Sequence, residues 1–152
     1  MAIDIKIRPI EFDDVAALFQ MMQALADNQN ERQFLTVDVE RLRTTGFGDR
    51  PQWRGVFAIV ENKPVGYATY TNDLHVWSGA PRIALDDIYV RPDFRSHGIG
   101  EKLMQAVFDE ARKAGAYVSW SVQPGNYKAI AFYRRLGASV RITGKCGWRA
   151  PD

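Results

Sequence analysis

The stretch Leu85–Leu103, LDDIYVRPDFRSHGIGEKL, decides the fold of this chain. It is typical of a strand, a short basic connection with two glycines, and the first turns of a helix. Backbone N–H groups at a helix start have no intrahelical partners, and the helix dipole favours anions there. The stretch therefore predicts a cradle for a phosphate chain, built from Arg95, Ser96, His97, Gly98, Ile99 and Gly100.

Two familiar phosphate-binding motifs do not fit these glycines. A P-loop requires Gly-Lys-Ser/Thr, whereas Gly100 is followed by Glu101 and Lys102. A dinucleotide-binding fingerprint requires Gly or Ala three residues after Gly100, where this chain has Leu103. What remains is the pattern Arg-x-x-Gly-x-Gly after a strand. An ordinary strand-to-helix turn also satisfies this pattern, so the rest of the chain has to decide between a phosphate-binding loop and an ordinary turn.

Length and composition favour one globular domain, and we predict a single domain over residues 1–152. The 152 residues are 46% hydrophobic and 25% charged. The net charge of +2, from 20 basic and 18 acidic residues, is too balanced to indicate a nucleic-acid partner. No apolar run is long enough for a membrane span and the start lacks a secretory signal, so we expect a soluble, cytoplasmic protein without a membrane partner.

Thiol and metal chemistry are not expected. The single cysteine, Cys146, excludes an internal disulfide, and no base partner is evident beside it. The two histidines, His75 and His97, are too few and too isolated to predict a metal site.

Hydrophobic periodicity and turn residues predict strand, helix, helix, three strands, helix, strand, helix and strand. In order, these are a strand around Ile3–Ile7, a helix capped by Asp13 or Asp14, a shorter helix capped by Thr36, a hairpin of Val56–Glu61 and Val65–Tyr70 turning at Asn62-Lys63-Pro64, a strand over Arg82–Val90, a helix ending near Gly115, a strand over Tyr117–Val122, a helix over Tyr127–Leu136 and a strand over Ser139–Ile142. This order predicts an α/β fold, with a mixed central β-sheet flanked by helices.

Two separated motifs resemble those of one family. The Arg-x-x-Gly-x-Gly loop, after a strand ending Tyr89-Val90-Arg91-Pro92, resembles the acetyl-CoA pyrophosphate loop of the GNAT superfamily of N-acetyltransferases. Asn126, with Ala131-Phe132-Tyr133 and Leu136-Gly137-Ala138, resembles a second segment of that family. Within the superfamily, the stretch Leu85–Val90 is most similar to the diamine acetyltransferases, the spermidine/spermine and thialysine group.

The resemblance implies an acetyl-CoA-dependent N-acetyltransferase acting on a primary amine of a small molecule: a diamine, a polyamine or a lysine-like amino acid. The amine would attack the thioester directly, through a tetrahedral intermediate. The resemblance assigns cofactor binding to the loop Arg95–Gly100, to Asn126 and to the strand end at Ile88, Tyr89 and Val90. Diamine-acetylating members are commonly homodimers, so a homodimer is expected.

Two residues are candidates for proton transfer. A phenol with a pKa of about 10 stays protonated at neutral pH, and the family assigns protonation of the leaving thiolate to the tyrosine matching Tyr133; a tyrosine buried for packing is the alternative. Asp86 aligns with the acidic residue proposed to deprotonate the amine through water, although a structural aspartate is equally consistent. Strand alternation directs Asp86 and Asp87 to opposite faces unless a bulge intervenes.

Several side chains are candidates to bind the amine, because carboxylates and aromatic faces attract cations. They are Asp87, Trp77 and, in the polar break between the first two helices, Asp27 and Glu31. Tyr70 and Trp53 are further aromatic candidates. Arg32 adds a cation to the polar break, which would weaken the binding of a polycation.

Two alternatives remain open at this point. A protein or peptide N-acetyltransferase would need an open groove in place of a closed acidic pocket. A non-catalytic acyl-CoA-binding module would sense the cofactor and control a partner, but the presence of Tyr133 and Asn126 favours an enzyme.

Overall fold

A computed structural model describes residues 2–152. Its strands are β1 (Lys6–Pro9), β2 (Arg54–Val60), β3 (Lys63–His75), β4 (Ala80–Val90) and β5 (Tyr117–Ser119), and its α-helices are α1 (Val15–Asn28), α2 (Val39–Gly46), α3 (Ile99–Ala114) and α4 (Tyr127–Arg135). The chain divides into two compact units, the first extending to Trp120 and the second covering Ser121–Asp152. One domain across residues 1–152 stays a prediction. Over the described part of the chain, no helix is long and apolar enough to cross a membrane.

The first unit contains a five-stranded sheet in the order β1-β2-β3-β4-β5. Strands β1 to β4 pair with one another in antiparallel fashion, and β5 is parallel to β4. The β4–β5 pairing covers only Arg82–Ala84 of β4. This mixed sheet with flanking helices confirms the predicted α/β fold, and it leaves the second half of β4 paired with β3 alone among the described strands.

Helices cover both faces of the sheet. On one face, Leu18 and Met21 of α1 pack with Phe57 and Tyr67 in the core. On the other face, a Cβ at Gly66 would lie 3.4 Å from the Leu103 side chain of α3. Because neighbouring strand residues point to opposite faces, Gly66 and Tyr67 place α3 and α1 on opposite sides of β3.

The boundaries of α3 are the ones that its glycines predict. Gly98 precedes the helix with φ +79°, and Gly115 follows it with φ +63°. Both values lie in the left-handed region that glycine tolerates without a steric cost. Between the two glycines, Leu103, Met104 and Val107 are fully buried, so one apolar face anchors the helix to the sheet.

The hairpin between β2 and β3 turns earlier than predicted. Its two turn residues are Glu61 and Asn62, with φ +49° and +63°, and not Asn62-Lys63-Pro64. Pro64 lies within β3 and pairs with Ile59, next to a register shift. A proline is tolerated in a strand beside such a bulge. The predicted hairpin is therefore present, and only the position of its turn was wrong, because Lys63 and Pro64 were assigned to the turn.

Further predicted elements differ in the structure. Strand β1 covers Lys6–Pro9, and not the segment around Ile3–Ile7, and β3 continues to His75, five residues beyond the predicted end at Tyr70. Asp38, and not Thr36, caps α2, because its carboxylate accepts from the Arg41 N–H at 2.7 Å. Strand β5 ends at Ser119, three residues before the predicted end at Val122. The predicted strand over Ser139–Ile142 is absent, and the second unit contains α4 without a strand anywhere in Ser121–Asp152.

Candidate active site

A β-bulge lies in the middle of β4, at the two candidate acids. Asp87 pairs with Thr69 of β3, but Leu85 pairs with the next residue, Tyr70. Asp86 is therefore the extra residue of β4, without a partner in the register. A bulge interrupts strand alternation, so the rule that would direct Asp86 and Asp87 to opposite faces does not apply at this position.

The surroundings of the two carboxylates raise the pKa of both. Burial raises the pKa of Asp87, and the negative charge of Asp86 raises it further. Desolvation of the carboxyl group also raises the pKa of Asp86, although that residue as a whole is exposed. The bulge thus brings together two acids that retain their protons to a higher pH than isolated aspartates do.

A tyrosine that the sequence analysis does not single out contacts this acidic pair. The hydroxyl of Tyr67, on β3, donates a hydrogen bond to Oδ2 of Asp87 over 3.5 Å. Tyr67 pairs directly with Tyr89, so Asp87 lies diagonally across from it, two residues away on the same face. Pairing β3 with β4 in this register is the signal that would have identified Tyr67.

The backbone of β4 is exposed at its edge beyond the bulge. Strand β5 pairs with β4 no further than Ala84. From Ile88 to Val90, the edge of β4 that faces away from β3 therefore has no strand partner in the described part of the chain. Such an edge offers N–H and C=O groups to an extended ligand. The side chain of Tyr89 is buried and faces Tyr67 at a ring distance of 6.1 Å, and its backbone pairs with Tyr67 of β3. The Arg91 N–H also donates to β3, at the Val65 carbonyl, so the backbone groups that point to the open edge are those of the alternate residues Ile88 and Val90.

Free amide groups line the loop that follows β4. In the described part of the chain, the N–H groups of Ser96, His97, Gly98, Ile99 and Gly100 donate to no backbone acceptor outside α3. Ser96 and Gly98 both have a positive φ, +66° and +79°, as in the backbone concavities that bind anions. Nothing lies within 4 Å of the Cβ position of Gly98. The residues present therefore fit a pyrophosphate group.

Two side chains of this loop are used to hold its shape. The Arg95 Nε donates to the carbonyl of Val90 at 3.0 Å, and its guanidinium lies 5.9 Å from the centre of the Tyr89 ring. His97 Nδ1 lies 2.9 Å from the carbonyl of Arg95, which can only accept, so this nitrogen is assigned the proton. The Arg95 contacts join the loop to the end of β4, and the His97 contact holds the loop to itself.

The second unit contains the remaining two predicted residues. Asn126 caps α4, because its side-chain oxygen accepts from the Ala129 N–H at 3.2 Å. Tyr133 lies two turns further along α4 and is half-buried, with its ring 5.4 Å from that of Phe132. Burial raises the pKa of the Tyr133 phenol above its ordinary value, so the phenol is protonated throughout the neutral range.

The candidates for amine binding are spread over the first unit. Trp77 lies in the turn between β3 and β4 and is 96% exposed. Asp86 follows the start of β4 by six residues, which is roughly 20 Å along the strand. Because Trp77 precedes that start, its side chain does not lie beside Asp86 or Asp87 of the same chain. Asp27 accepts two hydrogen bonds from Arg32, at 2.8 and 2.9 Å. That pair neutralises the charge of Asp27, whereas Glu31 has no ion-pair partner among the described residues.

Trp53 and Tyr70 line a cavity that does not include Asp86 or Asp87. This cavity, of about 570 Å³, also contacts Ala106 and Glu110 of α3, and α3 lies on the face of the sheet opposite Tyr67. The Trp53 indole nitrogen donates to the Leu42 carbonyl and the Thr45 hydroxyl, each at 3.1 Å. Neither aromatic residue is therefore grouped with Asp87. Within residues 2–152, no cluster of three or more His, Cys, Asp or Glu side chains has a metal-binding arrangement.

The chain belongs to the acetyltransferase (GNAT) family, whose family model matches residues 18–138. It is accordingly an acyltransferase, and members of this family use acetyl-CoA as the acetyl donor. The match confirms the family and the enzyme class that the two motifs predict.

Curated relatives agree with this assignment. The chain is 31% identical over 153 residues to thialysine N-epsilon-acetyltransferase of Sus scrofa, covering 95% of this chain and 89% of the relative. It is 35% identical over 77 residues to an L-methionine sulfoximine/L-methionine sulfone acetyltransferase of Pseudomonas aeruginosa, covering 50% and 44%. An aminoglycoside acetyltransferase from an uncultured soil metagenomic sample has the same fold, with a TM-score of 0.80, 21% identity and 97% of each chain covered.

Proposed function

We propose that this protein transfers the acetyl group of acetyl-CoA to a primary amine of a small molecule. One observation carries the proposal: the bulge in β4 groups two acids of raised pKa immediately before an unpaired strand edge and a loop of free amides. In this proposal the pantetheine arm lies along the strand edge at Ile88–Val90 and pairs with the backbone of Ile88 and Val90, while Tyr89 between them pairs with β3. The amides of Ser96–Gly100 bind the pyrophosphate, and the side-chain amide of Asn126 also contacts the cofactor. The Arg95 N–H, which the sequence analysis included, donates to the Pro92 carbonyl at 3.3 Å, so Arg95 supports the loop through its side chain instead.

Asp86 is the proposed general base. A primary ammonium must lose a proton before its nitrogen can attack a thioester. A carboxylate acting through one water molecule can accept that proton, and a raised pKa makes it a stronger base. Asp86 is exposed, which leaves room for the water molecule. Asp87, which is less exposed, is proposed to bind the amine.

Tyr133 is the proposed general acid. A thiolate leaving group requires a proton as the C–S bond breaks, and a phenol supplies one if it is still protonated. The raised pKa of Tyr133 keeps its proton in place at neutral pH. Because Tyr133 belongs to the second unit, its role rests on the match with the family motif and on this protonation state.

A small amine with limited positive charge is the preferred acceptor. Arg32 occupies the carboxylate of Asp27, so the break between α1 and α2 has one anion, Glu31, without a counterion among the described residues. That arrangement favours a lysine-like or short diamine over a long polyamine. Relatives named for thialysine and methionine sulfoximine support a small acceptor. Trp77 is too far along β4 from Asp86 and Asp87 to bind the same amine as these two carboxylates do, so it is not part of the proposed acceptor site. A homodimer and a cytoplasmic location remain predictions.

The experiment is a thiol-release assay with acetyl-CoA and a panel of acceptors. The panel contains thialysine, lysine, ornithine, short diamines, spermidine, spermine and peptides with a free amine. We expect turnover with the lysine-like amines or short diamines and little with peptides. Asp86→Asn is expected to lower kcat by about 100-fold, the usual effect of losing a general base.

Asp73→Asn is the matched control for Asp86→Asn. Asp73 lies on β3 and forms an exposed ion pair with Arg82 at 2.7 Å, so its loss should leave turnover unchanged. Turnover of peptides alone would favour a protein N-acetyltransferase. Tight binding of acetyl-CoA with no turnover of any amine would favour a cofactor-sensing module, and either result would contradict the proposal.

A further inference from the structure

Tyr67 is an unusual residue in the core of the first unit, because the side-chain hydrogen bond that it makes within the described residues joins a buried phenol to a candidate substrate-binding acid. Its side chain is fully buried and packs in the cluster that contains Leu18, Met21 and Phe57. A buried hydroxyl needs a hydrogen-bond partner, and the partner of Tyr67 is Oδ2 of Asp87. Burial and the charge of Asp87 raise the pKa of the Tyr67 phenol, so Tyr67 is a hydrogen-bond donor at every physiological pH.

The surroundings of Tyr67 fix the position of its hydroxyl. The Tyr67 ring lies 6.1 Å from that of Tyr89, its direct partner across the β3–β4 pair. A ring held on several sides has little rotational freedom. Its hydroxyl can therefore act as a fixed point for the more mobile carboxylate of Asp87.

The bond leaves half of the Asp87 carboxylate available. It uses Oδ2, and in the described part of the chain no group donates to Oδ1. The bulge at Asp86 places a second, more exposed carboxylate beside Asp87. The result is one tethered carboxylate and one untethered carboxylate next to each other on the same strand.

We propose that Tyr67 is a positioning residue for acceptor binding: its hydroxyl fixes the Asp87 carboxylate with Oδ1 directed to the substrate ammonium, while Asp86 stays free to act as the base. The inference rests on the proposed function, since it assumes that the acceptor is an amine. It separates the two acids by role, because a tethered carboxylate suits binding and a mobile one suits proton transfer through water.

Loss of the hydroxyl has a predictable effect on the ionisation of Asp87. Two groups of the described residues act on this carboxyl: Asp86, beside it on β4, raises its pKa, and Tyr67, across from it on β3, lowers it. Tyr67→Phe removes the lowering contribution, so the pKa of Asp87 rises further. Because amine binding requires the ionised carboxylate, the acid limb of the pH profile for acceptor binding shifts to higher pH.

The first experiment measures ionisation without catalysis. The pH titration of the Asp87 carboxyl carbon is followed by NMR in the wild-type protein, in Tyr67→Phe and in Tyr70→Phe. Tyr70 is the matched control, because it is a buried tyrosine of the same strand on the opposite face, with no hydrogen bond to either acid. We expect an upward shift of the Asp87 titration in Tyr67→Phe alone. Equal shifts in both variants, or none in Tyr67→Phe, would overturn the inference.

The second experiment measures acceptor kinetics. A hydrogen bond to a charged group justifies an increase of about fivefold to tenfold in the KM of the amine for Tyr67→Phe, with kcat and the KM of acetyl-CoA nearly unchanged. In the background of Asp87→Asn, the same substitution should have no additional effect, because Tyr67 acts through Asp87. A fall in kcat with unchanged KM, or full additivity with Asp87→Asn, would contradict a positioning role.

The two experiments separate this inference from the proposed function. If wild-type protein acetylates no amine, the proposed function fails, and the NMR titration still decides whether Tyr67 tethers Asp87. If amines are acetylated but the titration and the KM do not change, the function stands and the role of Tyr67 is wrong. Phenylalanine retains the ring that packs against Tyr89, and a single cooperative thermal transition in each of the three proteins checks that the core is intact.

Discussion

Two aspartates of the first unit, Asp14 and Asp87, have pKa values displaced in opposite directions. Arg8 donates to both oxygens of Asp14, at 2.6 and 3.0 Å, and this bond lowers the pKa of Asp14. Burial and the neighbouring Asp86 raise the pKa of Asp87. In their ionised forms, Asp14 supports folding and Asp87 opposes it. A side chain that lowers the stability of the fold without a structural partner to neutralise it is typical of a functional position.

Asp87→Asn should therefore increase stability while it removes acceptor binding. A carboxyl with a raised pKa in the folded state costs stability once the pH exceeds its unfolded pKa, about 3.9. We expect a higher Tm for Asp87→Asn at pH 7 and a difference that disappears as the pH falls below about 4. The kcat/KM for the amine should fall by at least about tenfold, since a charged hydrogen bond is lost. Thermal melting across pH and steady-state kinetics measure the two effects.

Asp14→Asn is the control of opposite sign. The stability that Asp14 contributes is present above its unfolded pKa and is lost as the pH falls through its lowered folded pKa. Its loss should lower the unfolding free energy at pH 7 by up to about 1 kcal/mol, as for a partly exposed ion pair, and leave kcat unchanged. If Asp87→Asn destabilises the protein at pH 7 as Asp14→Asn does, the reading of Asp87 as a functional acid is wrong.

At the scale of the element, α3 provides two equivalent positions with different roles. Gly98 and Gly115 flank the helix, both with a positive φ, and nothing lies within 4 Å of a Cβ built at either position. Alanine at each position costs about 1 kcal/mol of unfolding free energy, because only the backbone conformation is strained. We expect Gly98→Ala to weaken acetyl-CoA binding about tenfold or more, since a methyl group would lie among the amides that are proposed to hold the pyrophosphate.

Gly115→Ala carries the same backbone strain at the other end of the helix and should leave acetyl-CoA binding unchanged. Isothermal titration with acetyl-CoA and chemical denaturation distinguish the two variants. Equal losses of affinity in both would assign the effect to helix stability and would remove the argument for a phosphate site at Gly98.

The elements differ in how far the sequence predicts them. The limits of α3 follow from local residues, because Gly98 and Gly115 are needed for the backbone at those positions alone. The bulge at Asp86 depends on how β3 pairs with β4, and no local pattern in Asp86-Asp87 distinguishes it from regular alternation. Tyr67 was missed for the same reason, since its contact with Asp87 appears only once the register is known. Site residues joined by strand pairing therefore required the structure.

At the scale of the whole molecule, the predicted fold and family are confirmed, and the predicted site residues remain proposals. The family model covers residues 18–138, which includes the β4–α3 motif of the first unit and the α4 motif of the second. The absent strand over Ser139–Ile142 lies outside that match, where exposed residues such as Ile142 and Trp148 provide little apolar burial to hold a strand. The sequence was most informative about the loop between β4 and α3, whose conformation depends on consecutive residues. It was least informative about the Asp86 bulge and Tyr67, which depend on how β3 pairs with β4.

The most direct test of the account is the kcat for acetyl transfer to the best small amine in wild type, Tyr133→Phe and Tyr127→Phe. Tyr127 lies on the same helix and is 79% exposed, so it controls for the loss of a phenol from α4. The account predicts that Tyr133→Phe lowers kcat by about 100-fold to 10,000-fold, with acetyl-CoA binding retained, and that Tyr127→Phe behaves as wild type. A kcat for Tyr133→Phe within threefold of wild type would contradict the assignment of the general acid.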